Sequence, residues 1–566
     1  MRDGARLAAD VYRPETARPL PAILVRLPYN KDDLFMHTEA VHPVRAAEAG
    51  YAVVYQDTRG RFRSEGSFYP FVAEGRDGYD TVEWLAAQPW CDGNIGMAGA
   101  SYFGATQWLA AVEQPPHLKA IFPIVTSSEY YEGWTYQGGA FQLGFALLWT
   151  LTSLAPDAAS RLAGGGAAGE QAAARLLQTA GEIEKLFPRL PLGDLPDLSR
   201  VAPYYRDWIK HESRDDYWEP LAINRRYGRV RVPAFHVGAW YDLFLKGTLE
   251  NYRGMRREGG SPEARQGQRL LIAPWSHGNF SGEFPGLRFG TQASAAGLDL
   301  CGLTLGFFDR HLKGLGGQED GPPVRLFVMG ANRWREEAGW PLPGARSTAF
   351  YLHSAGEAGG EGGSLSLEPP AVEPLDHYLY DPRCPTPTLG GPTFLPGLRW
   401  GACAGPQDQR PVESRPDVLT YTSEPLQAPL EVIGPLQVNL WAASSAEDTD
   451  FVARLCDVAP DGTSRLLAEG ILRARYREGF ERPLPLIPGQ PALFRIDLAA
   501  TANLFLAGHR IRVDICSSSF PRFSAHPNLL KPLAEIVESD LTPAWQQVYH
   551  QADYPSHILL PLIERE

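Results

Sequence analysis

Three side chains of the sequence have the types and the chain order that acyl transfer requires. Ser101 stands in a Gly-Ala-Ser-Tyr-Phe-Gly run, Asp242 follows Trp-Tyr, and His277 follows Pro-Trp-Ser. Acyl transfer needs a nucleophile, a base that hydrogen-bonds to it, an acid that orients the base, and donors for the developing oxyanion. We therefore predict that Ser101, His277 and Asp242 form a catalytic triad.

Each of these residues also has an ordinary structural interpretation. Gly-x-Ser is a common sequence, and a serine after a buried strand can be a helix N-cap. Asp242 can cap the apolar helix that follows it, and His277 can be a loop histidine. His236 is a rival base inside a buried-type strand, and Asp57 is a rival acid that precedes Ser101 and so breaks the chain order. The three residues nevertheless follow the chain order of an α/β-hydrolase triad, each in the loop after a predicted strand, and this coincidence favours the catalytic interpretation.

Two further residues are predicted to stabilise the oxyanion. One donor is the backbone N–H of Tyr102, the residue after the nucleophile. The other normally lies in the loop after an earlier strand, where this chain has Pro28-Tyr29 and no run of glycines. A tyrosine hydroxyl can donate to an oxyanion, so Tyr29 is the predicted second donor. Aromatic packing is its alternative role.

The segments around these residues predict the elements that position them. The apolar run that ends at Ala100 is followed at once by an apolar helix, which is the strand, turn and helix of a nucleophile elbow. Strands that alternate with helices predict a mostly parallel sheet with helices on both faces. The predicted strands span 5–12, 21–27, 50–57, 94–100, 118–125, 230–238, 268–274 and 324–329.

The chain length and a break in this alternation predict three domains. A chain of 566 residues is too long to fold around a single hydrophobic core. Residues 129–222 hold aromatic-rich helical segments, and we predict a helical cap over the active-site end of the sheet. Residues 1–128 and 223–344 then form a discontinuous α/β-hydrolase domain. Short alternating runs between Pro and Gly turns predict a jelly-roll β-sandwich over 345–566.

Composition and charge argue against several functions. The net charge of −13 disfavours nucleic acid and anionic membranes as partners. The basic run 59–63 is interpreted as a solvated or ion-paired loop. Six scattered cysteines without a Cys-x-x-Cys pair disfavour a zinc site and favour a reducing compartment. Without a signal-like start or an apolar run of about 20 residues, we expect a cytoplasmic protein with no metal or organic cofactor.

Several longer segments resemble the cocaine-esterase family within the X-Pro dipeptidyl-peptidase superfamily, which also contains α-amino-acid ester hydrolases. The similarity runs nearly end to end and is carried by motifs such as Pro28-Tyr29-Asn30-Lys31, Gln56-Asp57-Thr58-Arg59-Gly60, Gly99-Ala100-Ser101-Tyr102-Phe103-Gly104, Gly238-Ala239-Trp240-Tyr241-Asp242 and Pro274-Trp275-Ser276-His277. This resemblance implies an α/β-hydrolase domain, an inserted helical cap and a C-terminal jelly roll. It also implies the triad Ser101, Asp242 and His277, with Tyr29 and Tyr102 at the oxyanion.

The resemblance further implies a substrate pocket. Trp134, Trp149 and Phe244 stand at positions that line the acyl pocket of the family. Phe394, in a divergent loop at 392–405, is predicted to bind substrate as well. The family motif Gly-x-Ser-Tyr-x-Gly also accounts for a glycine three residues after the serine. Because the cap and this loop diverge most, the substrate of the family is not assumed.

We predict a serine esterase that acts on hydrophobic, aromatic-acyl esters through an acyl-enzyme. An amidase, an X-Pro dipeptidyl-peptidase or an α-amino-acid ester hydrolase with the same triad is the alternative. The sequence shows no acidic cluster of the kind expected in an amino-acid ester hydrolase, although Glu129 and Glu132 resemble one. A catalytically inert ligand-binding protein is a remoter alternative. We expect a small-molecule ester as the partner and allow for a homodimer.

Overall fold

A nine-stranded sheet forms the centre of residues 9–337 in the computed structural model, which describes residues 1–33, 41–316, 321–359, 362–395 and 404–564. The strands are β1 (Ala9–Tyr12), β2 (Leu20–Leu27), β3 (Ala52–Asp57), β4 (Cys91–Ala100), β5 (Leu118–Ile124), β6 (Phe235–Tyr241), β7 (Arg269–Ser276), β8 (Val324–Val328) and β9 (Arg333–Glu337). Their order across the sheet is β1-β3-β2-β4-β5-β6-β7-β8-β9. Neighbours from β3 to β8 pair in parallel, and the edge strands β1 and β9 pair antiparallel. The predicted mixed α/β sheet is therefore present.

Helices cover the sheet and explain why its strands carry apolar side chains on both faces. All six residues of β3 are buried, as expected for a strand of a covered parallel sheet. In β4, Gly96 lies so close to Phe308 that an added Cβ would come within 2.5 Å of the phenylalanine ring. The helices are α1 (Pro43–Glu48), α2 (Glu74–Ala86), α3 (Tyr102–Val112), α4 (Leu143–Trp149), α5 (Ala155–Leu162), α6 (Gly166–Gly181), α7 (Pro196–Ser199), α8 (Pro203–Lys210), α9 (Leu245–Glu258), α10 (Pro262–Gln266), α11 (Leu300–Lys313) and α12 (Arg410–Glu413).

The segment between β5 and β6 is mainly helical, as its sequence predicts. It contains α4 to α8, and a π-helical turn, Thr150–Leu154, joins α4 to α5. A small hairpin, in which Tyr136–Gln137 pairs with Ala140–Phe141, is an addition that the sequence pattern did not indicate. Strands of two residues are too short to show an alternating pattern.

Within its described residues, the C-terminal part is mainly β structure and contains the short helix α12. Its strands are β10 (Ala345–His353), β11 (Gly363–Ser366), β12 (Asp376–Tyr380), β13 (Leu419–Ser423), β14 (Leu430–Ser444), β15 (Asp450–Val458), β16 (Ser464–Arg473), β17 (Ala492–Phe505), β18 (Arg510–Cys516), β19 (Ala544–Gln551) and β20 (His557–Ile563). They pair antiparallel except for β11 with β13. Their buried side chains share one hydrophobic core with Trp240 of β6 and Phe327 of β8. The C-terminal part thus packs directly against the sheet that carries the candidate triad.

No helix in the described ranges has the length and apolarity needed to cross a bilayer. The five cysteines within those ranges are all unbridged, and Cys403 lies outside them.

Candidate active site

Ser101 occupies a strained turn between β4 and α3. Its backbone has φ 58° and ψ −121°, in the left-handed half of the map that residues other than glycine rarely adopt. The Ser101 N–H donates to the carbonyl of Ile124 at 2.8 Å, which ties the turn to the end of β5. Its side chain makes no capping hydrogen bond to α3. Ser101 thus stands at the N-cap position of α3 but does not cap the helix with its side chain, and its hydroxyl faces His277 instead.

The two glycines that flank Ser101 in this turn, Gly99 and Gly104, are each required by a different close contact. A Cβ on Gly99 would lie 2.4 Å from Cβ of Phe103, and a Cβ on Gly104 would lie 2.7 Å from Cβ of Thr126. Position 103 can hold a large side chain because that side chain enters the cavity wall, where the ring centre of Phe103 lies 5.5 Å from that of Tyr29. The close contact with the segment after β5 falls one residue later, which explains the glycine at 104.

The three predicted triad residues meet at the carboxyl ends of β4, β6 and β7. His277 Nε2 lies 3.0 Å from Ser101 Oγ, and His277 Nδ1 lies 2.7 Å from Asp242 Oδ1. The Asp242 side chain is fully buried, and that of His277 is 9% exposed. The second oxygen of Asp242 accepts the backbone N–H of Phe244 at 3.1 Å. Both carboxylate oxygens are thus held, and one of them orients the imidazole.

The rival base and acid lie elsewhere. His236 is buried in β6 and hydrogen-bonds through Nε2 to Gln268 at 2.7 Å. Burial lowers the pKa of His236 to about 4, so it is a neutral core histidine. Asp57 accepts the backbone N–H of Lys31 at 2.7 Å and thereby holds the loop after β2. Neither residue is hydrogen-bonded to Ser101.

The two predicted oxyanion residues lie beside the elbow. Tyr29 follows β2, and its hydroxyl oxygen accepts a hydrogen bond from Trp149 Nε1 at 2.9 Å. Tyr102 is the first residue of α3, so its N–H belongs to the donors that a helix leaves without an intrahelical acceptor. The buried phenol of Tyr102 donates to Glu74 at 3.0 Å and accepts the N–H of Phe71 at 2.9 Å. These bonds fix the backbone next to Ser101.

A cavity of about 700 Å³ opens above the triad. Ser101 and His277 lie in its wall. Most of its large side chains are aromatic and come from six different segments of the chain: Tyr29, Phe62, Phe103, Phe145, Trp149, Phe280 and Phe394. The ring of Phe394 packs edge-to-face on His277 at 5.2 Å. Residues 396–403 of the loop predicted to diverge lie outside the described residues.

The four predicted substrate-binding residues divide into two pairs. Trp149 and Phe394 line the cavity. Trp134 and Phe244 are almost fully buried one layer behind it and stack on each other at 4.1 Å. Phe244 also packs edge-to-face on His277 at 5.0 Å. The structure therefore places the second pair as support for the histidine and the aromatic wall.

The wall of the cavity also contains carboxylates. Asp33, Asp157 and Glu170 line it, and none of the described lining residues is Lys or Arg, although Asp157 lies 3.5 Å from the buried Arg61 behind the wall. The sequence did not indicate this group because its members are far apart in the chain. Glu129 and Glu132, which resemble an acidic cluster in the sequence, do not line the cavity.

Ion pairs account for both of those glutamates. Arg214 lies 3.3 Å from Glu129, and Lys246 lies 2.9 Å from Glu132. Burial raises the pKa of Glu129 to about 7. These carboxylates therefore belong to the packing below the cavity.

Arg61 is the main residue near the site that the sequence analysis missed. The loop 59–63 is ion-paired at its ends, since Arg59 contacts Asp77 at 2.6 Å and Arg63 contacts Asp32 at 2.9 Å. Arg61 between them is fully buried, so the solvated interpretation is wrong for this residue. Its neighbours in the sequence gave no sign of this burial.

Among the described residues, Glu413, Cys456 and Asp514 form a buried group with metal-ligating side chains in the C-terminal part. Arg512 donates to Glu413 at 2.6 Å, and the Cys456 thiol lies 3.7 Å from Asp514. Burial raises the pKa of Asp514 to about 8. The ion pair with Arg512 offsets the charge of Glu413 within this group.

Family models and known proteins identify the class of this chain. Residues 3–279 match the model for X-Pro dipeptidyl-peptidase (S15 family), and residues 316–559 match the model for the X-Pro dipeptidyl-peptidase C-terminal non-catalytic domain. The chain belongs to this family and is a serine hydrolase, which confirms the class and the family predicted from the sequence.

Individual relatives cover nearly the whole chain. Cocaine esterase of Rhodococcus sp. (strain MB1 Bresler) is 40% identical over 100% of this chain and 97% of its own. A putative serine esterase of Mycobacterium bovis is 28% identical over 100% of this chain and 94% of its own.

Solved structures share the same fold. An α-amino acid ester hydrolase superposes with a TM-score of 0.81 at 27% identity and covers 99% of this chain and 95% of its own. An aminopeptidase from a marine sediment Thaumarchaeota archaeon superposes with a TM-score of 0.80 at 27% identity, covering 100% of this chain and 95% of its own. The fold is therefore an α/β-hydrolase with a C-terminal non-catalytic domain.

Proposed function

We propose that the protein hydrolyses carboxylic esters with a hydrophobic, aromatic acyl group, and that Ser101, His277 and Asp242 carry the reaction. The observation that supports this most is the continuous hydrogen-bond chain from Asp242 through His277 to Ser101 in the wall of an aromatic cavity. The relative named as a cocaine esterase supports an ester as the substrate.

In the proposed first step, Ser101 Oγ attacks the ester carbonyl while His277 Nε2 takes its proton. The imidazolium is stabilised by Asp242, and it then protonates the leaving alcohol as the tetrahedral intermediate collapses to an acyl-enzyme. In the second half, His277 takes a proton from water, which attacks the acyl carbonyl and releases the acid. Ser101 recovers its proton from the same imidazole.

The negative charge of each tetrahedral intermediate needs fixed donors. We assign the backbone N–H of Tyr102 and the hydroxyl of Tyr29 to this role. The indole N–H of Trp149 donates to the Tyr29 oxygen. This bond uses a lone pair of that oxygen, so the Tyr29 O–H hydrogen points toward a different group. A donated hydrogen bond also polarises an O–H group and makes it a better donor.

The lining of the cavity suggests which ester fits. Its aromatic side chains, such as Phe103 and Trp149, suit an apolar acyl group by burial and ring contacts. Asp157 is paired with Arg61, but Glu170 in the same wall favours a neutral or cationic alcohol over an anionic one.

The domain functions remain proposals. We infer that 129–222 acts as a cap, since Trp149 and α5 contribute to the cavity wall. We assign a jelly roll to 345–566 from its antiparallel strands, and the discontinuous hydrolase domain to 1–128 and 223–344. A cytoplasmic location, a homodimer and the absence of a nucleic-acid partner stay predictions from the sequence.

A substrate panel tests the proposed function. We expect nitrophenyl benzoate to be cleaved faster than nitrophenyl acetate, and X-Pro anilides to be cleaved poorly. Faster cleavage of X-Pro anilides than of any ester would instead assign a peptidase. Within the esters, a leaving alcohol with a carboxylate should react more slowly than its neutral isostere.

Covalent labelling tests the nucleophile independently of the substrate. A fluorophosphonate probe should label the unsubstituted protein and fail to label Ser101→Ala. Equal labelling of both proteins would assign the nucleophile to a residue other than Ser101, and no labelling of the unsubstituted protein would favour an inert ligand-binding protein. The variant Ser128→Ala is a suitable control, because Ser128 is buried and its hydroxyl bonds to Glu250.

A further inference from the structure

The guanidinium of Arg61 joins two segments that meet at the oxyanion side of the cavity. It donates to the carbonyl of Pro28 at 2.8 Å on one side. On the other side it donates to the carbonyls of Ser153 at 2.8 Å and Leu154 at 2.6 Å. Arg61 therefore bridges the loop after β2 to the π-helical turn after α4.

Both bridged segments are adjacent to groups of the proposed oxyanion site. Pro28 directly precedes Tyr29, and the π-helical turn, Thr150–Leu154, directly follows Trp149. Trp149 Nε1 in turn donates to the Tyr29 hydroxyl at 2.9 Å. Arg61 and Trp149 thus close a ring of contacts in which Tyr29 is held both through the backbone and at its hydroxyl.

The burial of Arg61 indicates a specific role rather than a surface contact. Removing a guanidinium from water is costly unless its donors are satisfied. Here three backbone carbonyls accept, Asp157 lies 3.5 Å away, and the ring of Phe68 lies 4.9 Å from the guanidinium carbon. Since the carbonyls come from two distant segments, this cost is offset only when the loop and the cap are docked in this arrangement.

We propose that Arg61 and Trp149 are positioning residues for the oxyanion donor Tyr29. Arg61 sets the distance between the loop of Tyr29 and the cap, and the indole N–H of Trp149 orients the Tyr29 hydroxyl toward the oxyanion. This inference rests on the proposed function. Because the oxyanion forms only after attack, loss of either residue should lower kcat and leave KM nearly unchanged.

A double-mutant cycle with Tyr29→Phe separates this role from simple packing. Trp149→Phe keeps an aromatic wall and removes the donor, and we expect kcat to fall about tenfold. In the Tyr29→Phe background the same substitution should change kcat by less than about twofold, because the hydroxyl that it orients is absent. Arg61→Met should show the same pattern.

The controls are neighbouring residues of the same type. Trp208 stacks on Trp149 with ring centres 5.9 Å apart, and Arg63 is an exposed neighbour of Arg61. Trp208→Phe and Arg63→Met should leave kcat within about twofold of the unsubstituted value. If Arg61→Met does not fold, the Trp149→Phe cycle decides alone.

Two outcomes would overturn the inference. One is a rise in KM with unchanged kcat in Trp149→Phe, which would assign a purely lining role. The other is an equal fall of kcat in both backgrounds. In either case Ser101 would still react with a fluorophosphonate and esters would still be the preferred substrates. Failure of the proposed function would instead appear as no labelling of the unsubstituted protein or as faster cleavage of X-Pro anilides than of esters.

Discussion

The two sides of the candidate site are built differently. On the acid–base side, Ser101, Asp242 and His277 each lie at or just after the end of a strand of one sheet, and their contacts are side chain to side chain. On the oxyanion side, Tyr29 is held by Trp149 from the cap and by Arg61 through a backbone carbonyl. One side depends on the sheet, and the other depends on docking between separate segments.

This difference predicts different sensitivities to substitution. A parallel sheet fixes the positions of its strand ends, so a triad residue can be changed without moving its neighbours, and its loss removes a chemical step. The oxyanion side should lose activity gradually, because several weaker contacts share the positioning of one donor. Substitutions on each side can test this contrast.

The largest expected effect is on the acid–base side. Asp242→Asn should lower kcat about 10⁴-fold, because the amide no longer holds His277 in the tautomer that accepts the serine proton. Steady-state hydrolysis of a nitrophenyl ester measures this. The matched control is Asp457→Asn, since Asp457 makes the same 2.7 Å bond to His509 in the C-terminal part. A similar loss in both variants would contradict the assignment of Asp242.

A smaller effect is expected on the oxyanion side. Tyr29→Phe should lower kcat about 10²–10³-fold with little change of KM, because one oxyanion donor is lost while the triad remains. Pre-steady-state acylation kinetics on a folded sample measure this. Tyr55→Phe is the control, since the Tyr55 hydroxyl is buried and donates to the carbonyl of Val41. An unchanged kcat in Tyr29→Phe would contradict the assignment of Tyr29 as the second oxyanion donor.

The smallest effect on activity should come from His236, which belongs to neither side. Its pKa is about 4 in the folded protein, against about 6.5 when unfolded. Between pH 4 and pH 6.5 His236 binds a proton only in the unfolded chain. The free energy of unfolding is therefore highest above about pH 6.5 and falls as the pH drops toward 4, by about 3 kcal/mol in all.

Chemical denaturation at several pH values, with His236→Gln beside the unsubstituted protein, tests this. The variant should lose part of the pH dependence between 4 and 6.5, whereas His377→Gln, at an exposed position, should keep it. Hydrolysis at pH 8 should be the same in all three proteins. An unaltered pH dependence in His236→Gln would show that this histidine is not the buried neutral group inferred here.

The sequence predicted the central strands well and several C-terminal strands not at all. Continuous apolar runs such as 21–27 and 52–57 are characteristic of covered parallel strands, and β2 and β3 lie there. By contrast, the edge strand β9 of the central sheet and the C-terminal strands β10, β11, β12, β19 and β20 went unrecognised. In β9, Arg-Trp-Arg-Glu-Glu is partly exposed at a sheet edge, so it lacks the apolar pattern on which such predictions depend.

The sequence by itself determined the order of the three triad candidates, the elbow and the hydrolase class. These features are local, because a strand end and the side chain that follows it are encoded in a few consecutive residues. Only the tertiary structure decided which aromatic side chains face the cavity, placing Trp149 there and Trp134 behind it. It also decided the role of Arg61, whose acceptors are backbone carbonyls of Pro28 and the π-helical turn. Every residue carries such a carbonyl, so no residue type in the sequence can mark the one that a distant guanidinium will reach.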